Sequence, residues 1–307
     1  MNFTLDIAIV IACIFVLWFG ASWVVESASR IAKKLGLSEL VIGLTVVAIA
    51  TSAPEFAVTV YAALTNQSAI SVGNVVGSNI FNVGIILGFV AIFSTLATTK
   101  SLLYRDSSLL LFAGLLLLIF FYDLELDWYE GIILFATLVT YIIFLIKQKQ
   151  PIEEEVPEGE FTLLDIPKLI IGIIAIVAAA HFLVDSASSI ARHFGVSEWI
   201  IGITIVAAGT STPELATSFV AVIKGKHGIS VGNLIGSDIF NILGVLGVAS
   251  ILKPLQIVQA EYTGIILLFV TLGVLMIMIR TGWKISKLEG AILIAIALFR
   301  WSFDFIF

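Results

Sequence analysis

Two glutamates, Glu55 and Glu214, lie inside strongly apolar sequence, each directly after a proline and just beyond a Thr-Ser pair. Residues 43–55 read GLTVVAIATSAPE and residues 202–214 read GITIVAAGTSTPE. A carboxylate at bilayer depth costs about 2.5–3.5 kcal/mol on insertion scales, so its presence asks for a reason. Proline lacks an N–H and its ring clashes with the carbonyl four residues back, so Pro54 frees the carbonyl of Ala50 and Pro213 that of Gly209. Freed carbonyls in lipid need partners, and a cation is one of them. The hydroxyls of Thr51, Ser52, Thr210 and Ser211 add neutral oxygens beside the carboxylates. Hard oxygen donors suit calcium or sodium, and nothing in the pattern suits zinc or copper. A proline kink patched by Ser and Thr would explain one such stretch; two copies weigh against it.

A second repeated constellation stands beside the first: GNVVGSNIFN at 73–82 and GNLIGSDIFN at 232–241. The small-xxx-small pairs Gly73/Gly77 and Gly232/Gly236 let helix backbones approach closely. Ser78 and Asn82 are four apart and share a helix face, as do Ser237 and Asn241. Each face can present a hydroxyl and an amide oxygen to the carboxylates, or can simply hydrogen-bond helices together. One position breaks the likeness, with Asp238 where the first copy has Asn79. Three residues from Asn241, Asp238 can lean toward the same face. It could add a ligand, hold a proton or pair with a neighbour.

The elements that must carry these residues are membrane helices. The chain has 307 residues, 60% hydrophobic and 12% charged, with mean hydropathy +1.12; a soluble globular protein carries roughly twice that charged fraction. Apolar windows of about 20 residues predict ten spans, near 5–25, 39–64, 71–96, 107–122, 128–147, 164–185, 198–223, 230–252, 260–280 and 285–305. One long polar connector, KQKQPIEEEVPEGEFTL at 147–163, divides them five and five. With the N-terminus outside, 13 of the 16 basic residues fall on cytoplasmic connections, and only Arg192, Lys253 and Arg300 fall outside. Both termini are therefore expected to be extracellular and the connector cytoplasmic. Residues 1–6 (MNFTLD) lack the basic region of a signal peptide, so the first segment is expected to be kept as a helix. The single cysteine, Cys13, cannot form an intrachain disulfide and reads as a packing residue.

Glu26 to Gly88 aligns without a gap on Asp185 to Gly247 at a constant offset of 159, with roughly half the positions from Gly36 onward identical. Five spans per half is an odd number, so the second half is expected upside down relative to the first. The fold class is thus an all-α polytopic membrane protein of ten transmembrane helices in two inverted five-helix repeats. Helices two, three, seven and eight are expected to be broken around a central cation site. Residues 1–147 form the first repeat (motif 43–88), 148–163 a short cytoplasmic linker, and 164–307 the second repeat (motif 202–247).

ATSAPE with GSNIFN, and GTSTPE with GSDIFN, resemble the two α-repeats of the sodium/calcium exchanger family, within the cation/calcium antiporters. The resemblance covers essentially the whole chain, of a prokaryotic type without a regulatory domain, since a seventeen-residue connector is too short to fold one. It implies that Glu55 and Glu214 are shared ligands of Ca²⁺ and Na⁺, and that the carbonyls of Thr51 and Thr210 join Ca²⁺ binding. It further implies that Ser52, Ser78, Ser211, Ser237 and the carbonyls of Ala48 and Ala207 serve sodium, with Asn82 and Asn241 at the centre. Asn241 stands where some members have an acid associated with potassium dependence, which argues against potassium coupling.

The expected function is secondary antiport of Na⁺ against Ca²⁺ by alternating access at a mid-membrane site. Two carboxylates balance one Ca²⁺, and protons should compete with cations at low pH. The spans at 5–25 and 164–185 lack ligands and are candidates to rock across the core. The nearest rival is a proton/calcium antiporter of the same fold, whose Gly-Asn run before the glutamate is absent here. A cation channel would need no counter-ion. An intramembrane aspartyl enzyme would need a carboxylate dyad at a water-filled cleft, so no enzymatic activity is expected. No cofactor is expected beyond the transported ions, and neither a nucleic acid nor a required protein partner; a monomer in the bilayer is expected. Among outlying groups, Asp123, Glu125 and Asp127 read as a solvated loop, Glu153, Glu154, Glu155, Glu158 and Glu160 as a plain connector, and His181 as a packed or interfacial ring, with a pH-sensing role as the sharper alternative.

Overall fold

The computed structural model describes residues 3–148, 160–196, 201, 205 and 207–306. Its helices are α1 (Phe3–Leu35), α2 (Glu39–Thr51), α3 (Ala53–Leu64), α4 (Ser68–Phe93), α5 (Leu102–Asp123), α6 (Trp128–Lys147), α7 (Asp165–His193), α8 (Ala207–Thr210), α9 (Thr212–Ile223), α10 (His227–Leu252), α11 (Gln259–Gly282) and α12 (Lys287–Ile306). Seven of the described helices are long and apolar enough to cross a membrane, and the bent pair α2–α3 makes an eighth. The protein is therefore an all-helical, multi-pass membrane protein.

Why α1 forms and where it packs can be read along one stripe. Leu17, Ala21, Val24, Val25, Ala28 and Ala32 recur at helical spacing and are buried. They pack with Leu169, Ile176 and Ala179 of α7, and with Ile42, Val47, Val220 and Ala221. Ile11, Phe15 and Phe19 on the other side are more than half exposed, as an apolar face turned to lipid requires. Small residues bring α1 and α7 together: a Cβ added at Gly20 would fall 3.2 Å from the carbonyl oxygen of Gly172. The pair is pinned at both ends. Arg30 forms an ion pair with Asp165 at 2.6 Å, and Ser189 Oγ donates to Asp6 Oδ2 at 2.7 Å. These two contacts are images of one another under the 159-residue offset.

The helix breaks fall where the prolines put them. Ser52 leaves helical geometry (φ −80°, ψ 12°) and Pro54 stands in the first turn of α3, where its missing N–H leaves no bond unmade. The resulting bend between α2 and α3 is 50°. Ser211 (φ −87°, ψ 7°) and Pro213 repeat this between α8 and α9. Helices three and eight are not broken, contrary to expectation. In α4 and α10 the chain passes instead through π-helical turns at Phe81–Ile86 and Phe240–Leu246 and continues as helix. They contain glycines but no proline, so the backbone ladder slips by one residue without stopping.

The long ends of α1 and α7 also extend past the apolar windows, because polar turns such as IAKKL keep helical hydrogen bonding beyond lipid. Two short ladders were not expected in an all-α chain, since two-residue pairings leave no periodic signal. β1 (Leu96–Ala97) pairs with β4 (Lys284–Ile285), and β2 (Glu125–Leu126) pairs with β3 (Leu255–Gln256), both antiparallel. Shifting one ladder by 159 residues in each half produces the other. Glu153, Glu154, Glu155 and Glu158 of the connector lie outside the described residues.

Candidate functional site

Where α2 ends and α3 begins, the chain exposes the C-terminal carbonyls of one helix and the N-terminal amides of the next. The first end favours a cation and the second an anion. Glu55 lies in the first turn of α3, and Glu214 in the first turn of α9. Both side chains are fully buried.

The two breaks are wired across the halves. Ser52 Oγ donates to Glu214 Oε1 at 3.0 Å, and Ser211 Oγ donates to Glu55 Oε1 at 3.2 Å. Sequence spacing alone would have paired each serine with its own glutamate three residues on. Ser237 Oγ adds a second donor to Glu214 Oε1 at 3.3 Å. The other oxygen of each glutamate, Oε2, is buried without a hydrogen-bond partner.

Three asparagines of the repeat bond to one another and to Asp238. Asn82 Nδ2 donates to Asp238 Oδ1 at 3.0 Å, Asn79 Nδ2 to the carbonyl of Asp238 at 3.1 Å, and Asn241 Nδ2 to Asn79 Oδ1 at 3.2 Å. Every amide proton-bearing end is thereby turned into the network. Asn82 Oδ1, Asn241 Oδ1 and Asp238 Oδ2 are left buried and unpartnered. Together with the two glutamate oxygens they make five acceptor-only atoms without donors. A proton or a cation is what such atoms lack. Among the described residues no group of three His, Cys, Asp or Glu side chains forms a conventional metal cluster; the set mixes acids with neutral oxygens.

The remaining expected residues take differing places. The carbonyl of Ala48 accepts from Ser52 N (3.0 Å), Thr51 Oγ1 (3.2 Å) and Ser237 Oγ (3.4 Å), so a cation there would displace a hydroxyl. Thr51 Oγ1 also donates to Asn233 Oδ1 at 3.0 Å, whereas its counterpart Thr210 Oγ1 has no partner. Ser78 is buried on α4 but joins none of these bonds, and Ala207 opens α8. His181 is largely exposed, 3.5 Å from Asp185 and away from the cluster, so it is no packed core ring.

Two supporting asparagines escaped the sequence reading. Asn74 Nδ2 bonds Thr59 Oγ1 at 3.0 Å and the carbonyl of Glu55 at 3.3 Å. Asn233 Nδ2 bonds Ser218 Oγ at 3.0 Å and the carbonyl of Glu214 at 3.4 Å. They fasten each glutamate's backbone to the neighbouring helix. Their signal was the Gly-Asn dipeptide repeated in both halves.

Against the described residues the two copies pack differently, and residues 199, 202 and 203, the counterparts of Leu40, Gly43 and Leu44, lie outside those residues. A Cβ built on Gly232 would fall 2.7 Å from the Leu40 carbonyl, and one on Gly236 would fall 2.6 Å from Leu44 Cα, so α10 lies tight against α2. On α4 no described atom comes within 4 Å of a Cβ at Gly73 or Gly77. Ile70 is 52% exposed, while its counterpart Ile229 is fully buried.

The chain is similar to known proteins over nearly its whole length. The family model described as "Sodium/calcium exchanger protein" matches residues 5–147 and 166–300. The chain is 35% identical to the sodium/calcium exchanger MaX1 of Methanosarcina acetivorans, over 89% of this chain and 91% of that one. It is also 35% identical to the putative antiporter CaxA of Alkalimonas amylolytica, over 94% of each. Among solved structures, the sodium-calcium exchanger NCX_Mj soaked without Na⁺ and Ca²⁺ superposes with a TM-score of 0.86 at 30% identity, covering 97% of this chain and 98% of that one. The chain belongs to the sodium/calcium exchanger family.

Proposed function

We propose that the protein is a secondary antiporter exchanging Na⁺ for Ca²⁺ by alternating access at this central site. The observation that carries the reading is the set of five buried acceptor oxygens, on Glu55, Glu214, Asp238, Asn82 and Asn241, that have no donor. Glu55 and Glu214 supply the charge that balances a calcium ion, and the carbonyls of Thr51 and Thr210 complete its shell. Sodium ions take Ser52, Ser78, Ser211, Ser237 and the carbonyls of Ala48 and Ala207. Ser52 and Ser211 now donate to the opposite glutamates, so an entering ion turns their lone pairs inward as it replaces that proton on the carboxylate. Asp238 acts as a third acidic ligand through its free oxygen. The Thr-Ser pairs favour sodium over a proton as the counter-ion, and asparagine at both 82 and 241 speaks against potassium. No further cofactor, nucleic acid or protein partner is needed, and the monomer is the transporting unit.

The topology goes with ten crossings in two inverted repeats, N- and C-termini outside and the linker in the cytoplasm. Several contacts support it, because each joins connections that this topology puts on one side. β1 with β4 and Arg30 with Asp165 would be cytoplasmic. β2 with β3, Lys253 with Asn66, and Phe3 stacked on His193 at 4.7 Å would be external. In that frame the exposed Ile70 and Gly73 open the site to the outside. The helices α1 and α7, pinned to each other at both ends, slide as one body to exchange the open side.

The test is ⁴⁵Ca²⁺ uptake into proteoliposomes loaded with Na⁺, with K⁺, or holding a pH gradient. Uptake that follows the sodium gradient is expected. Uptake driven by the pH gradient alone would overturn the sodium reading in favour of a proton/calcium antiporter. Unitary currents with no obligatory counter-ion would replace the antiporter by a channel.

A further inference from the structure

We propose that Lys224 and Lys226 form an electrostatic latch on Glu26 and Glu39 that holds the site shut on its cytoplasmic side, where the other half has neutral Thr65 and Gln67 at the positions of the two lysines. It rests on the alternating-access reading, and it assigns a role to four charged residues outside the cation site. Lys224 and Lys226 flank Gly225 in the turn joining α9 to α10, whose positive φ (+71°) sets both lysines on one tight loop. Lys224 Nζ bonds Glu26 of α1, and Lys226 Nζ lies 3.0 Å from Glu39 Oε1 at the start of α2. Ser29 of α1 also bonds Glu39. The loop therefore ties the ligand-bearing helices α9 and α10 both to α2 and to the sliding helix α1. Glu39 is only 8% exposed and Lys226 18%, so this pair is shielded from solvent, unlike an ordinary surface ion pair. Directly beneath it a Cβ at Gly43 would meet the Ile229 carbonyl at 2.9 Å, so the latch caps the tightly packed face.

The 159-residue offset shows what stands at the opposite end. Lys224 and Lys226 correspond to Thr65 and Gln67, Glu26 to Asp185, Ser29 to Ser188, and Glu39 to Glu198. The basic partners at these two positions are replaced by neutral side chains, and the cation on that turn is instead Lys253, bonded to Asn66 from another connection. Gln67 Nε2 bonds Thr65 Oγ1 at 3.0 Å on the exposed turn, and Asp185 is 57% exposed beside His181. Ser188 Oγ is buried with no partner, where Ser29 in the other half has its carboxylate. Glu198 lies outside the described residues. Since the motifs around the ions are nearly identical, a charge difference at the two rims biases which side stays open. The latch breaks each time the inner side opens.

Hydrogen–deuterium exchange of the purified full-length protein tests this. In K224Q/K226Q, exchange at residues 36–43 and 224–231 should rise several-fold while exchange at residues 68–78 falls, because opening one side closes the other. The charge-reversed pair E26K/K224E should return all three segments toward wild type. Unchanged profiles, or faster exchange confined to 224–231 with 68–78 unmoved, would overturn the latch. Should a variant fail to fold, the wild type decides: raising choline chloride from about 0.01 M to 1 M weakens the Lys224–Glu26 pair and should raise exchange at residues 36–43 and 224–231 while lowering it at 68–78. No opposed movement overturns it. The exchange reading is judged separately by sodium-driven ⁴⁵Ca²⁺ uptake of the wild type, which the latch does not affect in kind.

Discussion

Gly236 and Gly77 occupy equivalent places in the two repeats, yet adding one methyl to each should have opposite consequences. At Gly236 the new carbon falls 2.6 Å from Leu44 Cα and 2.8 Å from Ala48 Cβ, where ordinary contact begins at 3.4 Å. Helix α2 must then retreat by about 0.8 Å from a backbone that cannot rotate away. Overpacking of this kind costs about 1–3 kcal/mol, which corresponds to a shift of about 5- to 150-fold between two states. At Gly77 no described atom lies within 4 Å, so against the described residues G77A meets no clash in the present state and gains about 0.5–1 kcal/mol of helical preference. If α4 must later pack as α10 packs now, that methyl meets its clash only in the opposite state. G77A is expected to bind Ca²⁺ and to unfold at or above the wild-type temperature, yet to exchange about 5- to 150-fold more slowly. G236A should lose thermal stability and raise deuterium uptake at residues 36–43. The assays are calcium binding and melting in detergent beside ⁴⁵Ca²⁺ flux in proteoliposomes. Wild-type flux in G77A, or the same stabilised and slow behaviour in both variants, would refute the reasoning.

Other perturbations address the site itself. E55Q or E214Q should abolish exchange while leaving a folded, extractable protein; calcium transport retained in both would remove the central site. D238N keeps an acceptor for Asn82 but loses the charge, so a lower Ca²⁺ affinity or an altered pH dependence of uptake is expected, and no change would leave Asp238 a purely structural residue. N233A should destabilise by about 1–3 kcal/mol in thermal unfolding. It strips partners from Thr51, Ser218 and the Glu214 carbonyl, whereas Asn74 is part-exposed and N74A should cost less.

Much of this was legible because membranes leave few options. An apolar run of span length must be helical, and a glutamate after proline inside it must be explained. Thus the burial of Glu55 and Glu214 inside the bundle and the breaks at Ser52 and Ser211 follow from residue types alone. The unbroken paths of α4 and α10 did not, because glycine permits a break without demanding one, and a π-turn has no residue signature. Nor did the crossing of Ser52 to Glu214, since sequence distance ranks Glu55 nearer and only the antiparallel meeting of two broken helices reverses that. Asn74 and Asn233 were hidden for another reason: an amide beside glycine reads as helix packing until the carbonyl it holds is known.

The likeness of the halves raises a physical question that their differences answer. Two perfectly matched repeats would make the inward- and outward-open arrangements equal in energy, and a chain so built would have no preferred resting side. Here Thr51 is bonded to Asn233 while Thr210 has no partner, and Ile229 is buried while Ile70 is half exposed. The ligands are the most alike and the rims the least, with lysines at 224 and 226 facing threonine and glutamine at 65 and 67. That division separates two requirements. On the proposed alternating-access reading, ions would have to meet a comparable cage from either side, or one direction of exchange would stall at release. On the same reading, the proposed latch would set the bias between sides where it does not touch the ions. A charge pair at a rim would shift the equilibrium by an amount that its own partners determine, leaving the affinity of the proposed cage to Glu55, Glu214 and the amides around them.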